Sequence, residues 1–439
     1  MKRVPIRVTA LLGVLALSSA TLGGGALWLA TQPAAALTVL TVNSNADTTS
    51  GSCTTPCTLR QAFDTASTTV GDVEIDIPAS VGTIALSNGE LLYNGSANLT
   101  VVGNGNTVTQ GTGARLMHFT SAQTLTVSGL TLSGGQNCRG GGIDASSGSV
   151  VLTNTTVTQA TSTCGGGGIW SSGNVTLTGS TVSANHATGG SGGGIETGTG
   201  SVTLTNSTIT GNTAADGGGG IVAGENEEGF SAVTLTASTV DHNTAGTGDG
   251  GGVEADGVHA TNSTITNNSV TSSDPGGGIA FHGASVFVYD TIASNSSADG
   301  SNVWTSGATL TSVGTVIALP LGGSTNCAGV SAHIVSQGYN WDDDGSCGFG
   351  AGPGDHSNAG NPQLGALASN GGQTQTRLPD GDPSPLIDAI PASACQTGNA
   401  AGVTTDQRGV SRPQGAGCDI GAVEVALVTA APLTAAFTG

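Results

Sequence analysis

The chain has 439 residues, of which 74 are glycine and only 3% aromatic. It carries 29 acidic against nine basic side chains, a formal net charge of −20. That charge makes nucleic acid and anionic membranes poor partners, and the sparse aromatics argue against a core built on large rings. Three of the nine cations, Lys2, Arg3 and Arg7, sit at the extreme N-terminus, and every later one is an arginine.

Residues 1–36 read as a signal peptide. The basic start is followed by an apolar stretch from Val8 to about Ala30, and Ala34 to Ala36 offer a small-residue cleavage site. Gly23 to Gly25 interrupt the apolar run, which shortens it for spanning a membrane. Cleavage leaves no transmembrane span, a secreted or cell-surface protein, and an oxidising environment in which the eight cysteines pair.

Residues 37–80 form an N-terminal cap. Thr58 and Gln61 have capping-box spacing for a short helix, and Val73, Ile75 and Ile77 alternate as a strand. Such a helix would cover the open end of a stack of strands, which otherwise exposes apolar core and unpaired edges.

Residues 81–315 are repetitive. Gly-Gly-Gly precedes Ile143, Ile169, Ile195, Ile221, Val253 and Ile279, with steps of 26 residues except one of 32. The long step holds an acidic insertion around Glu225, Glu227 and Glu228. After each tract come alternating runs such as Val175 to Thr178, Val202 to Thr205 and Val233 to Thr236, then a second short run ending at Val182, Ile209, Val240, Ile265 or Ile292. An asparagine follows three residues later: Asn185, Asn212, Asn243, Asn268 and Asn295. A fixed period of this length predicts a solenoid, and about 26 residues rich in glycine and threonine suit three short strands per coil rather than a helical hairpin. Equivalent strands then pair in parallel, about 4.8 Å apart. The expected fold is all-β, a parallel solenoid, and the absence of proline between Pro78 and Pro275 fits an unbroken ladder.

Cysteine positions predict pairing between neighbours: Cys53–Cys57, Cys327–Cys347 and Cys395–Cys418 close local loops. Cys138 and Cys164 each lie five residues before the repeat's isoleucine, so they hold one phase in adjacent coils and predict a staple between them. From residue 316 the text changes, with no further glycine-tract repeat and nine of the 14 prolines; residues 316–425 form a C-terminal region and 426–439 a tail.

Asn43 to Asp47 and Cys57 to Phe63 resemble the CSLREA segment that opens many secreted bacterial β-helix proteins. The glycine repeats resemble the right-handed parallel β-helices of polymorphic outer membrane proteins and of the pectin lyase-like fold. Asn361 to Leu364, Asn370 to Gly372, Ser384 to Asp388, Thr405 to Val410, Arg412 to Gln414 and Cys418 to Glu424 resemble the terminal choice-of-anchor Q region. The resemblance implies a right-handed parallel β-helix of the adhesin-like, cell-surface class. It implies no particular activity, and the 15 residues from Val425 to Gly439 hold no sorting motif.

Three functional readings follow. The first is a binding or spacer module without catalysis or cofactor, its partner an extracellular glycan or another surface molecule. The outward strand columns carry it: Thr234, Thr236 and Thr261 beside His259, with Phe287 and Tyr289 expected on the same face as stacking rings. A C-terminal region folded back over the two rings is the competing placement. The second is a polysaccharide-active hydrolase or lyase. Asp144, Glu196 and Glu254 each follow the repeat's aliphatic residue and share one outward phase on alternate coils, about 9.6 Å apart, at the upper end for an inverting pair. No Lys or Arg lies between Arg139 and Arg377, which argues against lyase chemistry on uronates there. The third is an ice-binding face on the threonine columns. Asn340, Asp342 and Asp344 before Gly345 form half of a Ca²⁺ loop, without the acidic residue at its twelfth position. His186 and His242 read as turn residues.

Overall fold

The computed structural model describes residues 36–111, 113–224, 231–329, 333–380 and 384–425. The signal-peptide hydrophobic stretch, the acidic insertion after Gly224 and the tail from residue 426 lie outside the described residues. The described chain is a parallel β-solenoid bounded by three long sheets of twelve, eleven and ten strands. A glycine-side sheet is built from strands that follow the glycine tracts, such as Ile143–Ala145, Ile169–Ser171 and Ile195–Thr197. A threonine sheet holds Val175–Thr178, Val202–Thr205 and Ala232–Thr236, and a third sheet holds Thr181–Ser183, Thr208–Thr210 and Thr239–Asp241. Three strands per coil are not the whole account, because six middle coils carry a fourth short strand, for example Thr213–Ala214, directly after the asparagine.

The core is a set of aliphatic columns. Ile143, Ile169, Ile195, Ile221, Val253 and Ile279 stack coil upon coil and are fully buried. Val175 and Leu177 point in beneath Thr176, as period-two alternation requires. At one corner the asparagines form a directed ladder. Asn185 Nδ2 donates to Asn212 Oδ1, Asn212 to Asn243, Asn243 to Asn268, and Asn268 to Asn295, each at 2.9–3.0 Å. The run continues through Asn302 and Asn326 and ends on the carboxylate of Asp342. The amides of Asn185, Asn212, Asn243, Asn268 and Asn295 also each donate to a strand carbonyl of the preceding coil, as Asn243 does to Ile209 at 3.0 Å. The buried corner therefore has its polar groups satisfied.

The ladder explains the glycine tract. A Cβ on Gly168, Gly194, Gly220 or Gly252 would fall within about 3 Å of the asparagine amide of the same corner and of the next coil's backbone. A Cβ on Gly167, Gly193 or Gly219 would meet the carbonyl of the following tract at 2.2–2.5 Å. The tract must be bare because the chain packs on itself there. A second column at the opposite corner runs Ser180, Ser207, Ser238, Ser263, Asp290, Thr315, Asn340, each side-chain oxygen accepting the backbone N–H of the coil before.

Thr58 caps the helix Leu59–Thr68 with a complete capping box, and Leu59, Ala62, Phe63 and Ala66 bury their side chains in the first coils' core. Arg60 pairs with Asp47 at 2.7 Å and donates to the carbonyls of Gly89 and Glu90, so the two halves of the N-terminal motif are one clamp. Burial pushes the Asp47 carboxyl up, but Arg60 and the Ser87 and Asn88 amides outweigh it and hold it below its ordinary value. Disulfides join Cys53–Cys57, Cys138–Cys164, Cys327–Cys347 and Cys395–Cys418. Among the described residues no helix is long and apolar enough to cross a membrane.

The C-terminal region folds back onto the solenoid. Gln407 donates to Ser238 O and Thr239 Oγ1 and accepts from Thr264 Oγ1. Arg377 reaches Ser294 at 2.6 Å, and Thr374 donates to Ala237 O. A second apolar cluster forms between Tyr289, Val313, Val316 and Trp341 of the solenoid side and Leu386, Ile390, Cys395 and Ile420 of the returning chain.

Candidate functional site

The outward position of the glycine-side sheet is a single column, because its strands show one residue out between two in. Register places Leu92, His118, Asp144, Trp170, Glu196, Val222, Glu254, Ala280, Trp304 and Ala328 on consecutive coils. Asp144, Glu196 and Glu254 thus share one column on alternate coils. Two tryptophans lie in the same column, five coil steps or about 24 Å apart. Val222 is 1% and Ala280 0% exposed although both point away from the core, because the turns at Gly218 and Gly276 pack over them.

At the N-terminal end of the column Asp144 is buried and committed. Arg115 lies in ion pairs with Asp144 and, at 3.0 Å, with Glu90. Ser146 donates to Asp144 Oδ1 at 2.6 Å, and His118 Nδ1 lies 3.0 Å from Glu90. The His118 contact, aided by Arg115, holds Glu90 below its ordinary pKa against its partial burial, and burial pulls the Arg115 guanidinium down. Beside this cluster the Arg139 guanidinium lies 4.6 Å from the Trp170 ring. Farther along, Glu196 and Glu254 are half-buried, and Trp304 is half-buried with His282 in an edge contact at 5.7 Å.

The expected aromatic patch is not on the surface. Register pairs Ala260 with Phe287 and His259 with Val286, one residue from the alignment that placed Phe287 beside His259. A one-residue slip turns every side chain of a strand to the other face. Phe287 is therefore fully buried in the main core, edge-on to Phe281 at 6.2 Å. Tyr289 lies in the turn beyond, at φ +56°, and is covered by the returning chain. Its hydroxyl donates to Cys395 O at 2.5 Å and Arg412 stacks 4.2 Å above its ring. Burial pushes the phenol up to about 12 despite the opposing pull of Arg412.

His259, Thr234, Thr236 and Thr261 do face outward on the threonine sheet: His259 and Thr236 are exposed, and Thr234 and Thr261 half-buried. Thr236 borders a cleft of about 410 Å³ between that sheet and the C-terminal region, with Thr205, Gln373, Asp406 and Arg408 among its lining. Its charged groups are paired with one another, Arg408 with Asp406 at 2.8 Å, and no aromatic ring lines it.

The half Ca²⁺ loop is arranged differently from a cation cradle. Asn340 belongs to the serine-type corner column, its Oδ1 accepting from Thr315 N–H and Ser312 Oγ, so it turns away from Asp342 and Asp344. Asp342, Asp343 and Asp344 do converge. Their oxygens accept from Asn326, Cys347 N–H, Leu319 N–H and Ser346, so the cluster terminates ladders and caps amides. His186 is exposed in a short strand, and His242 occupies a turn at φ +53° beside Asp241.

A family model described as the right handed beta helix region matches residues 112–298. Among solved structures the chain is similar to the crystal structure of pectate lyase Pel9A, at 14% identity and a TM-score of 0.39, covering 89% of this chain and 97% of that one. No curated protein matches it. With the parallel register of all three long sheets, the family match makes these coils a right-handed parallel β-helix.

Proposed function

We propose that this protein is a secreted or cell-surface, adhesin-like β-helix that binds an extracellular glycan along the C-terminal part of the outward column of the glycine-side sheet, without catalysis. The observation that carries the reading is the order Glu196, Val222, Glu254, Ala280, Trp304 on successive coils: one half-buried indole and two half-buried carboxylates, with Trp170 buried under Arg139 at the other end. Indole faces suit the apolar faces of sugars and carboxylates accept from their hydroxyls. The acidic column favours neutral or amino sugars over uronates, since no Lys or Arg lies between Arg139 and Arg377. Four disulfides fit an oxidising compartment.

A second reading keeps one specific support. Glu90, Arg115, His118, Asp144 and Ser146 converge, and a polysaccharide-active enzyme would centre there, with Glu196 and Glu254 as further acids. Against it, Asp144 is locked by Arg115, and Glu196 and Glu254 stand about 9.6 Å apart with Val222 between.

One experiment separates the two: a glycan array with the purified protein, run beside a reducing-sugar assay on the bound classes. Binding without product is expected, weakened about three- to tenfold by Trp304→Ala, the range of an aromatic contact. Absence of binding to any class, or binding indifferent to Trp304→Ala, would sink this reading. Turnover lost in Asp144→Asn or Glu196→Gln would install the enzyme instead.

A further inference from the structure

Near the C-terminal end of the column, Asp249, Glu254 and His282 each bring one ligand atom within 4.8 Å of the others. We propose that these three side chains form a binding site for a divalent ion of the zinc class, a role beyond glycan binding that shares Glu254 with it. The topology assembles them from two adjacent coils. Gly250, at φ +70°, turns the chain between Asp249 and Glu254, so both carboxylates lie on one side of the corner. Glu254 pairs in register with Ala280, a small buried residue packed against the turn at Gly276, and His282 follows two residues later on that next coil. On the other side Gly217 makes room, because a Cβ there would fall 2.0 Å from Glu254 Oε2.

The donor set decides the ion. Two carboxylates and an imidazole match a three-ligand site with a fourth position open, as zinc-type ions accept. Ca²⁺ asks for six to eight oxygens and does not favour imidazole. Tetrahedral ligands at about 2.0–2.1 Å stand about 3.3 Å apart, so the donors must draw in by up to about 1.5 Å, part of which the exposed His282 ring can supply. The ring is already oriented: its Nδ1 lies 3.3 Å from Ser306 Oγ and its edge contacts Trp304, which leaves Nε2 for the metal.

Charge supports the same assignment. Asp274 lies close by, accepting from Gly248 N–H at 2.9 Å and Ser272 Oγ at 2.7 Å, and adds a further carboxylate. Burial first, and Asp274 after it, push the Asp249 carboxyl up, with His282 opposing. The repeats contain no lysine or arginine between Arg139 and Arg377, and a divalent cation lowers the mutual repulsion of Asp249, Glu254 and Asp274 directly.

The test is calorimetric titration of chelator-treated full-length protein with Zn²⁺, Co²⁺, Ca²⁺ and Mg²⁺, each alone. One Zn²⁺ per chain is expected, with Co²⁺ giving the intense visible absorption of a four-coordinate site and Ca²⁺ and Mg²⁺ giving no saturable heat. His282→Ala and Asp249→Asn should each weaken Zn²⁺ at least tenfold while their metal-free melting curves match the parent's, His282 being exposed. Absence of saturable Zn²⁺ binding overturns the proposal. Zn²⁺ binding unchanged in both variants, or Ca²⁺ binding that survives His282→Ala, overturns it as well.

Discussion

Tyr289→Ala tests whether the C-terminal region is locked onto the solenoid by a single ring. Tyr289 is fully buried, sits in the second apolar cluster, donates to Cys395 O and lies under Arg412. Truncating a buried aromatic costs about 3–5 kcal/mol. The ring also sits at φ +56°, a left-handed conformation that costs a bulky residue about 1–3 kcal/mol, and alanine keeps most of that strain. Taking about 3 kcal/mol as the net loss, the open population of the returning chain should rise about a hundredfold, since each 1.4 kcal/mol is tenfold. Trypsin reads this directly. Arg377 and Arg408 are the cleavable arginines of the fold-back, and Arg377 is 8% exposed in the closed form. Cleavage after these residues should therefore accelerate by about two orders of magnitude in Tyr289→Ala. Tyr289→Gly should open somewhat less, because it relieves the backbone strain. A cleavage rate within twofold of the parent for both variants would refute the argument that this ring holds the region closed.

Two further outcomes are expected. Asn243→Ala breaks the ladder at a fully buried position, stripping Asn212 of the acceptor for its N–H and its amide and removing one donor from the Ile209 carbonyl. Each orphaned group costs about 1–3 kcal/mol, so urea unfolding should show a loss of at least about 2 kcal/mol, and a loss below 0.5 would mean that the ladder is decorative. Acidity should stabilise the C-terminal half within a defined window. Burial, with Asp344 adding to it, pushes Asp342 up to about 6, and burial pushes Asp419 to about 6. The folded values exceed the ordinary 3.8, so the protonated forms favour the native state. That contribution is complete below 3.8 and is lost as pH rises through 6, on the order of 2–3 kcal/mol for each group. Asp47 and Glu90, held below their ordinary values, work in the opposite sense, but only below about pH 4.5. Melting of the C-terminal half should therefore occur at higher temperature at pH 5 than at pH 7.5, and the reverse order would contradict the burial of the two acids.

Much of the fold was legible because a solenoid repeats its physics. The isoleucine phase, the alternating threonine strands and the asparagines each recur coil after coil, so one reading error is corrected by the next repeat. The cysteines at equal phase, Cys138 and Cys164, were readable for the same reason. What escaped was the purpose of the glycines, whose bareness answers to the asparagine amides of the same corner and to the next tract's backbone. The fourth short strand also escaped, being only two residues long in most coils and carrying no alternation to read.

The misplacement of Phe287 has a physical cause that the sequence also contained. The corner between the glycine-side and threonine sheets varies in length: Ile169 to Val175 is six residues, Ile195 to Val202 seven and Val253 to Val258 five. Placing Phe287 on the face of Thr234 and Thr236 by position after the glycine tract carries that variation into the register. The next corner does not vary. Leu177 to Val182, Leu204 to Ile209, Leu235 to Val240 and Ala260 to Ile265 are each five residues, because the serine-type column beneath that turn fixes its length. Five residues back from Ile292 is Phe287, pointing in, as the structure has it. The outward column was half visible by the same logic. Asp144, Glu196 and Glu254 could be placed in one column because each follows its isoleucine or valine directly, with no variable corner between. Trp170 and Trp304 occupy that same offset and could have been read with them. Asp249 and His282 lie across corners from Glu254, where only a register can bring side chains together. In a parallel solenoid, chemistry within a strand can be counted from the repeat, whereas chemistry across a corner depends on whether that corner has a constant length.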